Sequence, residues 1–239
     1  MILLAVDTAL DACAAAVATD RDGRIDVVGV TEVIGRGHAE CLMRVVDDAL
    51  ALAGVGHADL DGYAVSIGPG SFTGIRVGVA AVRGFALASA KPAVSITSLE
   101  ALAAEGREIR PGRPILAVLD ARKDEVYAQA FDAAGRPVGA AVVTSAARAA
   151  ASAADLGATL IGSGAPLLAA ADPTLDLAAA TAFPAIDTIA RLAVSRFAGA
   201  VVGRDLPTPL YVRPPDAKPQ GAARLARLTP GGLAVGGAP

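Results

Sequence analysis

The sequence predicts an α/β protein of two lobes, each built on the order β-β-β-α-β-α. Three observations predict it. A short apolar run ending at an aspartate opens each half, residues 2–6 before Asp7 and 115–119 before Asp120. In both halves two more strand-like runs follow, and then a run with helical spacing. Between the halves, residues 107–114 hold two prolines and a glycine, a strong local break. The lobes are therefore expected at 1–106 and 107–213, with a tail at 214–239, rich in Pro and Gly and expected to be weakly ordered.

In chain order, residues 2–6 and 12–19 read as strands around an Asp7-Thr8 turn. Asp20-Arg21-Asp22-Gly23 is a hairpin turn into a third strand at 25–33. His38–Ala53 is an amphipathic helix with Leu42, Val45, Val46, Ala49 and Leu52 inward and Glu40 placed to pair with Arg44. A strand at 63–67, the helix described below, and a strand at 93–96 follow. Thr97 and Glu100 form a capping box that opens a helix to about residue 105. In the second half strands are expected at 115–119, 126–131 and 138–143, a helix at 146–154, and a short strand at 159–161 before Gly162-Ser163-Gly164. A last helix at 186–197 presents Ile186, Ile189, Ala190, Ala193, Val194 and Phe197 inward. This doubled plan is that of the actin, Hsp70 and sugar-kinase (ASKHA) fold.

The central stretch is residues 68–90, GPGSFTGIRVGVAAVRGFALASA. Gly68, Gly70 and Gly74 let backbone pass close to something, and a new helix presents free N–H groups. Those features suit an anion cradle, and they equally suit a tight strand-to-helix turn with no ligand. No Gly-Lys-Ser/Thr follows, so this is not a Walker loop. The helix is apolar almost all round: Ile75, Gly78, Val82, Phe85 and Ala86 share one side, and Val77, Ala81, Gly84 and Ala88 another. Only Arg76 and Arg83, flanked by Ala80 and Leu87, make a polar line. Such a helix is covered from two directions, by a sheet and a second protein or by one enclosing domain.

Composition narrows the function. Net charge is −3 and aromatic content 3%, which argue against autonomous nucleic-acid binding and against base-stacking platforms. No basic n-region or long apolar segment precedes the first strand, so neither leader nor membrane span is expected. Cys13 and Cys41 match no zinc spacing and read as reduced thiols of a cytoplasmic protein. His38 and His57 have no second ligand at helical spacing, so no metal site is expected.

Five blocks in order resemble the bacterial TsaB family, also called YeaZ: Asp7-Thr8, Arg36-Gly37-His38, GPGSFTGIRVG at 68–78, DARKDEVY at 120–127 and PLYVR at 209–213. The resemblance covers residues 1–216. It implies the ASKHA fold and a non-catalytic partner that binds and activates TsaD. TsaD is the paralogue that forms N6-threonylcarbamoyladenosine at position 37 of tRNAs reading codons that begin with adenine. It further implies TsaE as a third component, a homodimer when alone, contact with tRNA only through the complex, and no cofactor beyond weak nucleotide contact at an interface. The implied docking surface is formed by the helices at 38–53 and 72–90. The residues expected on it are Leu42, Val45, Phe72, Ile75, Arg76, Gly78, Val79, Arg83 and Leu87, with Gly78 as a point of close backbone approach. Asp7, Thr8 and Asp120 would be vestigial nucleotide-site positions. TsaD-like enzymes carry a metal-binding His-x-x-x-His after the corresponding strand; Ser98 and Leu102 fill those positions here, and neither holds such an ion as imidazole does.

Two enzymatic alternatives compete: an ATPase-type enzyme of the same fold, which the retained acids would suit, and a peptidase. The peptidase needs an activated nucleophile, and Ser71 has no evident histidine partner. Direct tRNA recognition by Arg76, Arg83, Arg122 and Lys123 is a third reading, opposed by the negative net charge.

Overall fold

One strand order appears twice. The computed structural model describes residues 1–197, 200–203 and 206–213. The first half runs β1 (Ile2–Asp7), β2 (Ala12–Arg21), β3 (Arg24–Val33), α1 (His38–Ala53), β4 (Gly62–Ser66), α2 (Phe72–Ser89), β5 (Ala93–Ile96) and α3 (Ser98–Ile109). The second runs β6 (Ile115–Asp120), β7 (Glu125–Phe131), β8 (Pro137–Ser145), α4 (Ala146–Leu156), β9 (Thr159–Ile161), α5 (Ala165–Ala171), β10 (Leu177–Ala179) and α6 (Ile186–Phe197). The sheets are ordered β3-β2-β1-β4-β5 and β8-β7-β6-β9-β10. In each, the first strand is antiparallel to the second and parallel to the fourth. This is the two-lobe, duplicated α/β architecture of the ASKHA-like fold.

The pleat explains the layering. Successive side chains point to opposite faces, and in the first sheet both faces are apolar. Leu4, Val6, Ala15, Val17, Tyr63 and Val65 meet α1 and α2. Leu3, Ala5, Ala14, Ala16, Ala64 and Ile96 meet Ile189, Ala190, Ala193 and Val194 of α6. In the second sheet Leu116, Val118, Val126 and Ala128 meet α4 and α5, while Ile115, Ala117 and Leu119 meet Leu99, Leu102 and Ala103 of α3.

The helices thus cross between halves: α3 follows the first sheet in sequence but covers the second, and α6 comes last but covers the first. A boundary at 106/107 marks chain order only. Glu105 of α3 joins the crossing helices by accepting the Ala185 N–H at 2.6 Å just before α6, and burial raises its carboxyl above the usual range.

Several expectations need correction. Between the Gly162-Ser163-Gly164 turn and residue 186, where the sequence pattern gives no element, the structure has the short α5 and β10. On α1, Leu50 is buried and Leu52 is exposed. Arg44 pairs with Glu32 at 2.5 Å and Asp48 at 3.2 Å rather than with Glu40. Only half of the capping box forms. The Thr97 hydroxyl accepts the Glu100 N–H at 3.0 Å, while the Glu100 carboxylate pairs with Arg196 of α6. The tail expected at 214–239 lies outside the described residues.

Candidate docking face and the floor beneath it

The floor is built where β1 ends. Asp7 and Thr8 are 2% and 0% exposed. Asp7 accepts the Ala9 N–H at 2.8 Å, and burial pushes its pKa up to about 6 against the opposing effects of Ala9, the Ser66 hydroxyl and His38. The Ser66 and Ser98 hydroxyls share a hydrogen bond of 3.2 Å. The His38 ring contacts the Leu10 carbonyl at 2.8 Å, a structural role.

The glycine stretch packs on this floor. Thr8 donates its hydroxyl proton to the Gly74 carbonyl at 2.7 Å, and the Ser71 N–H donates to Ala9 at 2.7 Å. A Cβ on Gly70 would overlap the Ala9 carbonyl, and one on Gly74 would overlap the Thr8 carbonyl. Gly68 alone of the three needs left-handed backbone, at φ 93°. What the glycines approach closely is therefore the chain itself. Ser71 caps α2 by accepting the Gly74 N–H at 3.2 Å. That is the hydroxyl's role, and the tight-turn reading wins over the anion cradle. The turn amides of Ala9, Ser71 and Gly74 are already bonded within the chain and are not offered to a nucleotide phosphate.

The metal positions fit no better. Ser98 is buried against Ser66, and Leu102 is fully buried in the core beneath α3. Among the described residues no group of three His, Cys, Asp or Glu lies together in a way that could hold an ion. Cys13 and Cys41 are free thiols, and burial holds the Cys13 thiol well above its ordinary range.

The outer face of α2 is open. Among the described residues, this one helix is long and apolar enough to cross a membrane. Its inner stripe, Gly74, Ile75, Gly78, Val79, Val82 and Ala86, lies on the first sheet. Phe72, Arg76, Ala80, Arg83, Gly84 and Leu87 are exposed, Leu87 by 83%. On neighbouring α1, Met43 is 48% exposed.

This corrects part of the expected docking set. Leu42, Val45, Ile75 and Val79 are at most 4% exposed and Gly78 is buried as well, so all five face the chain's own core. They position a face and cannot contact a partner. Gly78 approaches Thr8 and Val65, so Gly78→Leu would disrupt the fold before it affected docking.

Segment 206–213 straps the halves together. Leu206 packs against the core under α1 and α2, and the Leu210 N–H donates to Ile67 at 2.9 Å. Arg83 donates to the Pro207 carbonyl at 3.5 Å, and Arg76 Nε to the Tyr211 hydroxyl at 2.8 Å. Arg213 pairs with Glu125 and reaches the Ala121 carbonyl at 3.4 Å in the second half. Nothing in the sequence spacing pointed to this strap; the PLYVR block was its only signal.

The second acid has a different setting. Asp120 is exposed and accepts the Arg122 N–H at 2.7 Å, while its own N–H donates to the Ser163 hydroxyl at 3.1 Å. It stabilises a turn in which Arg122, Lys123 and Asp124 all take left-handed backbone, φ 66°, 55° and 59°.

Asp7 carries a pH prediction. Below about pH 4 both folded and unfolded states hold the proton. Between about pH 4 and 6 only the folded state does, so stability falls as pH rises, and above 6 the full cost stands. A shift from 3.8 to about 6 corresponds to roughly 3 kcal/mol. Asp7→Asn is expected to stabilise the protein by about 2–3 kcal/mol at pH 7.5 and by almost nothing near pH 4, read by urea unfolding. An equal gap at both pH values would contradict the buried-acid account.

A family model described as TsaD, tRNA N6-adenosine threonylcarbamoyltransferase, matches residues 29–195. A Haemophilus influenzae protein named tRNA threonylcarbamoyladenosine biosynthesis protein TsaB is 35% identical over 127 residues, 53% of this chain and 52% of that protein. Its Escherichia coli namesake is 35% identical over 127 residues, 53% of each. The match thus spans about half the length of these curated relatives. The solved structure of YeaZ from Pseudomonas aeruginosa superposes with a TM-score of 0.74 at 31% identity, covering 88% of this chain and 99% of that one.

Proposed function

The chain belongs to the TsaB family, also called YeaZ, and from that premise we propose that it is a non-catalytic subunit in tRNA threonylcarbamoyladenosine formation. In this reading it binds and activates TsaD, with TsaE as a third component, and touches tRNA only through the complex. Alone, it pairs with a second copy through the same face. It works in the cytoplasm and carries no cofactor of its own.

The observation that carries the reading is the open face of α2. An 18-residue helix without a single acid leaves Phe72 and Leu87 in solvent beside exposed Ala80 and Gly84, a surface that permits close backbone approach. The floor supports the absence of catalysis. Asp7 is sealed, Ser71 is spent as a cap, and Ser98 and Leu102 stand where a TsaD-like enzyme would hold its metal. Burial of Asp7 weighs against the ATPase alternative, and the capping bond of Ser71 weighs against the peptidase.

The test is to mix the purified full chain with TsaD of the same genome and measure sedimentation. A faster, stoichiometric species is expected. Two independent boundaries at micromolar concentration would contradict the docking reading.

A further inference from the structure

Arg76 is held by two aromatic residues of the chain, Phe72 and Tyr211. Its guanidinium carbon stands 3.6 Å from the centroid of the Phe72 ring and 5.7 Å from that of Tyr211. Its Nε donates to the Tyr211 hydroxyl at 2.8 Å, and the two rings are 5.5 Å apart. Arg44, Arg191, Arg196 and Arg213 each sit on a carboxylate; Arg76 has no such partner among the described residues. The sequence holds only five Phe and three Tyr, yet two of them stand here side by side, 48% and 46% exposed.

We propose that the docking face is composite: Tyr211 of the strap joins Phe72 and Arg76 of α2 in a preassembled anchor for a carboxylate set in an apolar surface of the partner protein. The proposal rests on the docking reading above and names the chemistry the partner must present. An arginine already stacked and bonded at Nε loses little freedom on binding, and its two terminal nitrogens remain for a bidentate acid. Aromatic rings and arginine are the side chains on which interface energy concentrates. Arg83, two helical turns along, is a second cation with no carboxylate on it among the described residues, and Leu87 supplies apolar contact. The Tyr211 ring is fixed in place because the strap is tied at Ile67 on one side and at Glu125 on the other. A nucleobase fits less well, since the guanidinium already covers the Phe72 ring and the two tilted rings, 5.5 Å apart, leave no slot for a base between them.

The experiment measures binding of the full chain to TsaD of the same genome by calorimetry at 50 and 300 mM salt. The variants are Tyr211→Ala, Tyr211→Phe and Arg76→Gln, with the exposed, distant Arg148→Gln as control. Tyr211→Ala and Arg76→Gln are expected to weaken binding at least tenfold, Tyr211→Phe less, and Arg148→Gln not at all. Arg76→Gln should also bind with a shallower salt dependence than the parent. If the parent binds and Arg76→Gln binds equally well at both salts, the anchor is overturned while the docking reading stands. If the parent does not bind, the docking reading itself fails and the anchor with it. Retention of tRNA by the chain alone, lost in Arg76→Gln, would overturn a protein occupant in favour of RNA. Should Tyr211→Ala lower the melting temperature, Arg76→Gln and Tyr211→Phe decide.

Discussion

Gly74→Val is expected to lose at least about 3 kcal/mol of stability and to melt about 6 °C or more below the parent. A β-carbon there meets the Thr8 carbonyl, which is backbone and cannot rotate away. That backbone follows directly on β1, which is paired on both sides, so the floor cannot retreat. Gly84→Ala, ten residues along the same helix, meets nothing within 4 Å. It should cost nothing or gain up to about 1 kcal/mol, because alanine suits a helix interior better than glycine. Calorimetric melting of the two variants checks the pair. Equal melting temperatures would contradict the assignment of Gly74 to the floor and Gly84 to the open face.

Gly84→Glu and Leu87→Asp carry the second large effect. Each places a charge on the exposed side of α2, so the isolated chain should fold as before. In a docked complex each carboxylate would be taken from water into an apolar contact, at a cost of several kcal/mol. At 3 kcal/mol that is more than a hundredfold in the dissociation constant for TsaD. Unchanged melting together with lost binding is the expected pattern, and unaltered binding by both variants would remove α2 from the interface. Gly78→Leu cannot serve this purpose, because it strikes Thr8 and Val65 inside the chain.

These two glycines also show how far the sequence could be read. Helical period placed Gly78 and Gly84 on different sides of α2, yet it could not say which side met the sheet. A helix apolar nearly all round has only Arg76 and Arg83 to mark its outside, and that line, with Ala80 and Leu87 beside it, is where the structure leaves α2 exposed. The strands were legible because strand alternation and turn chemistry agree locally. Asp22-Gly23 closes the β2–β3 hairpin with both residues at positive φ, 54° and 86°. Helix ends were legible for the same reason: Ser71 and Thr97 cap α2 and α3 through their own side chains.

What stayed hidden depends on contacts remote in sequence. The exchange of α3 and α6 between sheets follows from two-sided apolar sheets that both need covers, and no local pattern names the cover. The glycine stretch looked open to an anion because its true neighbour, the Thr8–Ala9 backbone, lies more than sixty residues earlier. The strap joins Tyr211 to Arg76 across 135 residues. The site residues divide accordingly. Phe72, Arg76, Arg83 and Leu87 lie on the surface, and Leu42, Val45, Ile75, Gly78 and Val79 lie beneath it. Asp7 and Thr8 form the floor, and Asp120 stands apart as a turn former.

The most direct test of the central claim is an omit-one reconstitution. TsaD, TsaE, the enzyme that makes threonylcarbamoyl-AMP, threonine, bicarbonate, ATP and tRNA are combined with and without this protein, and modified adenosine is counted by mass spectrometry. Product is expected only when the chain is present, and equally with Asp7→Asn or Asp120→Ala in its place. Product formed as well without the chain, or lost with either acid variant while the fold is intact, would contradict a non-catalytic activating subunit.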